Sequence, residues 1–353
     1  MKFFALPLLL SLLLLGTVTS CSSGLFKEKD QSCELITVAA FDIGSGSTKM
    51  MVADKNPCSK QIKTIYTEES RAIGFAQDLQ NATNESGELR FSDSIIKEGI
   101  EGMRELNGLA DTFNPQKKKG AATQAFRRAQ NGEQLLQRWR DEHGMDARIV
   151  TQKEEAILGY QVVQTYYPIK NGKLLVWDMG GGSQQLTWYD LESEEFKFFN
   201  TDIASVTFKN RALKWLGRDS DKNSPNPISA DEAKILFENA VNWIKREILT
   251  QDSGQDLLHF IRNQKAEIRA LGGVHGASLR RQLDLTPDMP IKKEELKQAI
   301  QRQAGKTDQE VGGRFAATDV TNLILVRALM HVYGIESYHF MSANLNEGII
   351  LFL

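Results

Sequence analysis

The chain has 353 residues, with Lys+Arg 43 against Asp+Glu 45, and is 41% hydrophobic, 8% aromatic and 25% charged. That is ordinary globular composition, which excludes a disordered or collagen-like chain, and the length allows two domains rather than a lone small binding module. The net charge of -2 gives no general basic footprint for nucleic acid or membrane, so an anionic ligand has to be held by a local site.

In chain order, Lys2 precedes an apolar run from Phe3 to Leu15 interrupted only by Pro7 and Ser11, which reads as a secretory signal peptide over residues 1–20. The run is shorter than the roughly 20 residues of a full membrane span. Val18-Thr19-Ser20-Cys21 resembles a bacterial lipobox, so Cys21 is expected to be the lipidated first residue of the mature chain, with 21–34 as a tether. Ser22 in place of Asp points to outer-membrane sorting, with the body facing the periplasm of a bacterial cell envelope. The alternative is an ordinary small-residue cleavage site beside a cysteine, and the mass of the mature N-terminus separates the two. Cys33 and Cys58 remain, in a compartment that permits a disulfide, and neither has the spacing of a metal site or redox pair.

A strand is expected at Ile36–Phe41 and another at Lys173–Trp177, each ending in the same device. The devices are Asp42-Ile-Gly44-Ser45-Gly46-Ser47 and Asp178-Met-Gly180-Gly181-Gly182-Ser183, identical at four of six positions and 136 residues apart. Both run on into a further strand, Lys49–Val52 and Leu186–Tyr189, so the unit is a duplicated strand, turn and strand. Between the copies lie amphipathic stretches at Ser94–Leu106 and Gly132–His143, a short strand at Arg148–Thr151 and a helix from about Lys153 to Tyr166. Beyond the second copy come a loop at Asp219–Pro227, a helix near Ala230–Leu249 and a strand at Glu267–Leu271 running into Gly272-Gly273. A buried helix at Asp319–Tyr333, a strand at Ser337–Met341 and a last helix at Asn346–Phe352 complete an α/β pattern with helices packed on sheets.

A Gly/Ser turn after a strand lets a phosphate chain approach backbone N–H groups where side chains would block it. Asp42 and Asp178 at the strand ends are candidate Mg²⁺ ligands, since Mg²⁺ takes one or two carboxylates together with waters and phosphate oxygens. By pattern alone, Arg127 and Arg128 read as a solvated pair and Glu154 and Glu155 as charges that complement a helix N-terminus. His275 reads as structural, and Phe196, Phe198 and Phe199 as core or sheet-edge contacts.

The ordered series Phe41–Lys49, Ala122–Asn131, Thr151–Gly159, Trp177–Ser183, Ala270–Val274 and Met341–Gly348 resembles the exopolyphosphatase/guanosine pentaphosphate phosphohydrolase (Ppx/GppA) family, from about Leu35 to the end of the sequence. The resemblance implies two actin-like domains of the ribonuclease H-like superfold, at 35–160 and 161–353, with an active site in the cleft between them and the last helix packing back on the first. It implies hydrolysis of terminal phosphoanhydride bonds of inorganic polyphosphate or guanosine pentaphosphate with Mg²⁺. Glu155 would be the general base for water and Arg127 would hold the terminal phosphoryl group. Gly44, Ser45, Ser47, Lys49, Gly180, Gly181, Gly182 and Ser183 would bind phosphate, while Asp42 and Asp178 would hold the metal. Family members are often dimers, which leaves both a monomer and a homodimer open.

Four positions depart from the family pattern. Gln184-Gln185 stands where relatives commonly have Thr-Glu, Asn346 where they have Arg, and Gly46 where many have Asn. Gln185 and Asn346 motivate a second reading, a polyphosphate- or nucleotide-binding sensor with little catalysis. A kinase of the same superfold is disfavoured by a compartment without ATP and by the candidate water-activating Glu155.

Overall fold

The two strand-and-turn units each become the centre of a sheet. A computed structural model describes residues 33–81, 89–169, 173–219, 223–286 and 289–353. The first sheet contains β1 (Ile36–Ile43), β2 (Ser47–Asn56), β3 (Gln61–Ala72), β4 (Lys117–Ala122) and β5 (Asp146–Ile149), in the order β3-β2-β1-β4-β5. The first three strands are antiparallel, and β4 and β5 run parallel to β1. Its helices are α1 (Phe75–Asn81), α2 (Asp93–Asp111), α3 (Gln124–Arg128), α4 (Gly132–His143) and α5 (Gln152–Tyr166).

The second sheet contains β6 (Leu174–Met179), β7 (Gln184–Asp190), β8 (Glu195–Thr201), β9 (Glu267–Leu271), β10 (Pro290–Lys292) and β11 (Ser337–Phe340), in the order β10-β11-β9-β6-β7-β8. The sense repeats: β6, β7 and β8 are antiparallel, β9 and β11 follow β6 in parallel, and β10 is an added antiparallel edge. An antiparallel triple joined to a parallel pair is the ribonuclease H-like order, and here it occurs twice. The later helices are α6 (Ser205–Trp215), α7 (Ala230–Leu249), α8 (Asp252–Gln264), α9 (Arg280–Leu283), α10 (Lys293–Gln303), α11 (Asp308–Val311), α12 (Ala316–Tyr333) and α13 (Leu345–Phe352), with one wide turn of π-helix at Val274–Leu279.

Each sheet is covered on both faces, which explains why the central strands are apolar on both sides. Phe75, Met103, Phe126 and Trp139 pack on one face of the first sheet, against Phe41 and Met50. Ile349 and Ile350 of α13 cover its other face, against Val38, Ala40 and Met51. In the second sheet Trp177, Leu186 and Phe199 meet α7 and α12, while Tyr160 and Val163 of α5 cover the opposite face against Leu174 and Val176. Helices α5 and α13 touch each other, and Gly348 permits this, because a Cβ there would lie 3.1 Å from Leu158 Cβ.

Both sheets belong to one compact unit, Glu34–Leu353. The expected division at 160/161 falls inside α5, which runs unbroken from Gln152 to Tyr166. Strand β5 ends at Ile149, ahead of the expected Thr151, because Thr151 turns to cap α5. Phe199 is core, and Phe196 sits edge-on to Tyr160 and Tyr189. The expected signal peptide, Cys21 and the expected tether up to residue 32 lie outside the described residues. Cys33 and Cys58 are both disulfide-bonded.

Candidate active site

The two turns are built alike. Gly44 N donates to Ser47 O at 3.0 Å, and Gly180 N donates to Ser183 O at 3.0 Å. The carbonyls of Ser45 and Gly181 accept from Ala76 N and Val206 N, both at 2.8 Å, the second residues of α1 and α6. Each turn is therefore held from behind by the helix that follows its third strand. Register places Lys49 opposite Asp42 and Gln185 opposite Asp178. The third Gly-rich turn completes the second copy: Gly272 has φ +91, and a Cβ there would lie 2.5 Å from Asp178 Oδ1 and from Met179 O. Only glycine fits this close, left-handed position.

A cavity of about 400 Å³ opens between the two turns. Asp42, Gly44, Ser45, Ser47 and Lys49 line it from the first hairpin, and Asp178, Gly180 and Ser183 from the second. Arg127 and Glu155 complete its wall. Gly181 and Gly182 do not line it, although both were expected to bind phosphate; Gly181 packs beside Val206 instead.

Local capping chemistry separates the two glutamates. Thr151 Oγ1 accepts from Glu154 N at 3.1 Å, and Glu154 Oε2 accepts from Thr151 N at 2.8 Å, closing a capping box. Glu154 also pairs with Arg148 at 2.7 Å. Glu155, one position on, turns to the cavity, where Arg127 Nη1 donates to its Oε2 at 3.1 Å and to Val150 O at 2.7 Å. Burial raises the Glu155 carboxyl above the usual glutamate range, and Arg127 opposes that shift.

Asp42 is pushed up to about 6, by burial first and by Glu155 in addition, against the pull of Lys49, whose Nζ is 3.7 Å from Oδ2. Asp178, open to the cavity, is also raised to about 6, by desolvation first and then by the negative charges of Glu155 and Asp42, against the pull of Lys49. Three carboxylates thus crowd a space offset by Lys49 and Arg127. Among the described residues no group of three or more His, Cys, Asp or Glu could cage a metal ion. Asp42 and Asp178 instead suit a hard divalent cation completed by water and phosphate oxygens.

Sequence reasoning missed Thr123, Gln124, Gln152 and Asn344, all lining the cavity. Their signal was position: Gln152 is one helical turn before Glu155, and the other three stand within the motif segments that contain Arg127 and Glu347. Asn346 does not reach the cavity. It is 2% exposed inside α13, and the cavity wall there is Ala343, Asn344 and Leu345. Gln185 does line the cavity, whereas Gln184 is buried beneath it, accepting from Trp177 Nε1 at 2.9 Å and donating to Thr201 Oγ1 at 3.1 Å. His275 is fully buried, its Nδ1 2.7 Å from Tyr338 Oη, and burial pushes it down to about 3, so it stays neutral as a structural residue.

The chain aligns at 26% identity over 152 residues with exopolyphosphatase 1 of Mycobacterium tuberculosis and of Mycobacterium bovis, covering 42% of this chain and 41% of theirs. Its fold is similar to the Ppx/GppA protein of Aquifex aeolicus, with a TM-score of 0.66 and 19% identity over 90% of this chain and 97% of that one. An exopolyphosphatase structure from Cytophaga hutchinsonii gives a TM-score of 0.65 at 13% identity, over 89% and 96% of the two chains. The model of the Ppx/GppA phosphatase family matches residues 51–351, and with the duplicated sheet and the cavity between its Gly-rich turns the chain belongs to that family.

Proposed function

We propose that this protein hydrolyses the terminal phosphoanhydride bond of inorganic polyphosphate or guanosine pentaphosphate and releases orthophosphate. The observation that carries the reading is Glu155 held by Arg127 in a cavity walled by both Gly-rich turns and both strand-end aspartates. In this reading the cavity is the cleft between two actin-like halves. The terminal phosphoryl group enters beside Gly44, Ser45, Gly180 and Ser183, and draws the Arg127 guanidinium onto its oxygens. That move releases Glu155, whose raised pKa suits it to take a proton from the attacking water. Arg127 then stabilises charge on the equatorial oxygens as the bond to the leaving phosphate breaks. Asp42 and Asp178 would hold Mg²⁺, which supplies positive charge to the phosphate oxygens.

The test is phosphate release from both substrates by the chain lacking residues 1–21, beside Glu155→Gln. Release that falls about 10²–10⁴-fold in the variant supports the reading. Wild type and variant equally silent, with polyphosphate still bound, overturns it in favour of the sensor, which the neutral Gln185 beside Asp178 would favour. The proposal includes a lipid anchor at Cys21 in the bacterial envelope, checked by the mass of the mature N-terminus.

A further inference from the structure

At the end of each sheet away from the cavity, the two copies carry opposite charge. The β2–β3 turn reads Lys55-Asn-Pro-Cys-Ser-Lys60, and the equivalent β7–β8 turn reads Asp190-Leu-Glu-Ser-Glu-Glu195. Register sets Lys55 beside Ile36, Lys117 beside Val38 and Lys119 beside Ala40. Lys55 Nζ donates to Ile350 O at 2.6 Å, Lys119 Nζ donates to Leu353 O, and Lys60 Nζ stands 6.0 Å from the Phe352 ring centre. Lys55, Lys60 and Lys119 therefore ring the last turn of α13, with Lys117 beside them on the same sheet end. Lys60 and Lys117 are exposed. Among the described residues Asp146 is the acid paired with this group, 3.9 Å from Lys119 Nζ. Burial, then repulsion from Lys119, Lys117 and Lys60, holds Lys55 below the usual lysine range, as expected where cations outnumber their partners.

Position identifies the partner. Strand β1 starts at Ile36, so the chain enters the sheet at this lysine-rich end, and the cavity lies at the other end of the same strand. We propose that the lysine-rich end of the first sheet docks on an anionic lipid bilayer. The biological setting rests on the lipid-anchored reading, but the chemistry rests on the lysines alone. A chain of net charge -2 is not drawn to such a surface as a whole. It is drawn in one orientation, with Lys60 and Lys117 toward the headgroups. The six steps of β1 from Ile36 to the cavity-lining Asp42, at about 3.3 Å each, then set the cavity about 20 Å from that end of the sheet, about two Debye lengths of about 8–10 Å. A polyanionic substrate would reach the cavity without crossing the field of the membrane.

The test mixes a lipid-free chain beginning at Ser22, which retains the whole unit Glu34–Leu353, with sedimenting vesicles. One set is phosphatidylcholine with about a third phosphatidylglycerol, the other phosphatidylcholine alone. The expected result is binding to the anionic set only, weakening with salt. Lys60→Gln with Lys117→Gln should lower the partition about 25-fold, from about fivefold per lysine near an anionic surface. The Lys→Arg pair should retain binding, Glu192→Gln with Glu194→Gln should leave it unchanged, and melting temperature should hold throughout. Equal binding to both vesicle sets overturns the proposal, as does unchanged binding by the Gln pair. A Gln pair that loses polyphosphate binding instead would make the patch a polyanion subsite. Anchoring is read separately from the mature N-terminal mass, so either idea can fail alone.

Discussion

The two hairpins share one backbone and differ in one decisive side chain. Each has an Asp at the end of its first strand, the same N–H to carbonyl bond across the turn, and a helix that grips the turn from behind. Opposite Asp42 stands Lys49, whereas opposite Asp178 stands the neutral Gln185. Duplication therefore supplied a symmetric cradle, and substitution at one cross-strand position made its two carboxylates unequal. Asp42 is partly neutralised from within the protein. Asp178 depends more on whatever cation arrives from outside, and this asymmetry can be tested.

The largest effect is expected at the support of the second hairpin. Gly272→Ala would put a methyl group 2.5 Å from Asp178 Oδ1 and Met179 O, at a φ of +91 that disfavours any side chain. Phosphate release should fall about 100-fold or more and the melting temperature should drop; an unchanged enzyme would mean that Asp178 does not need its observed position. Next, Asp178→Asn and Asp42→Asn should differ. Removing Asp178, which makes no salt bridge among the described residues, should raise the Mg²⁺ needed for half-maximal activity about 10–100-fold, and removing the one paired with Lys49 should raise it less. Equal shifts would break the asymmetry argument. Gln185→Glu should move the other way, lowering the Mg²⁺ requirement and shifting the acid limb of the rate profile upward, because a further carboxylate makes its neighbours harder to ionise.

The hairpins were also the most legible part of the molecule. Their strands are apolar on both faces and stop at Gly-rich turns, so sequence patterning and the observed elements coincide. Strand β3 left no such trace, because its twelve residues form an exposed edge with polar side chains on both faces. Strand β4 begins Lys117-Lys118-Lys119, which reads as a solvated charge run. In the structure it lies between β1 and β5, with its buried residues confined to Gly120, Ala121 and Ala122. At the site the family resemblance, not spacing, singled out Glu155 and Arg127, and the capping geometry of Glu154 supplies the physical reason that the two glutamates differ. Nor does a motif position reveal which side of a helix faces the cavity: Asn346 is buried in α13, while Asn344 and Leu345 line the wall. The polar residues Thr123 and Gln152 were hidden because neither type carries chemistry on its own.

Smaller effects probe stability. Asp42 is raised from 3.8 to about 6 when folded, so its ionised form opposes folding. The stability associated with the protonated acid is complete below about pH 4 and is lost as pH rises through about 6. Asp42→Asn should therefore match wild type near pH 3.5 and melt a few degrees higher at pH 8 without Mg²⁺, while losing activity. A variant that melts lower at pH 8 would show that the Lys49 contact outweighs burial.

The smallest effects separate the tips of the two turns. Gly46 and Gly182 occupy the same place in their hairpins, neither has positive φ, and an added Cβ at either would meet nothing within 4 Å. Alanine at either should leave the fold unchanged or stabilise it by about 0.4–1 kcal/mol, by restricting the unfolded chain. Function should distinguish them, because Gly46 lines the cavity and Gly182 does not. Gly46→Ala is expected to raise the KM for polyphosphate about two- to fivefold at constant kcat, through a methyl group placed where the phosphate chain approaches. Gly182→Ala should leave both constants unchanged. If Gly182→Ala raises KM as much as its counterpart, substrate reaches over both tips, and the hairpins bind phosphate symmetrically despite the inequality of their carboxylates.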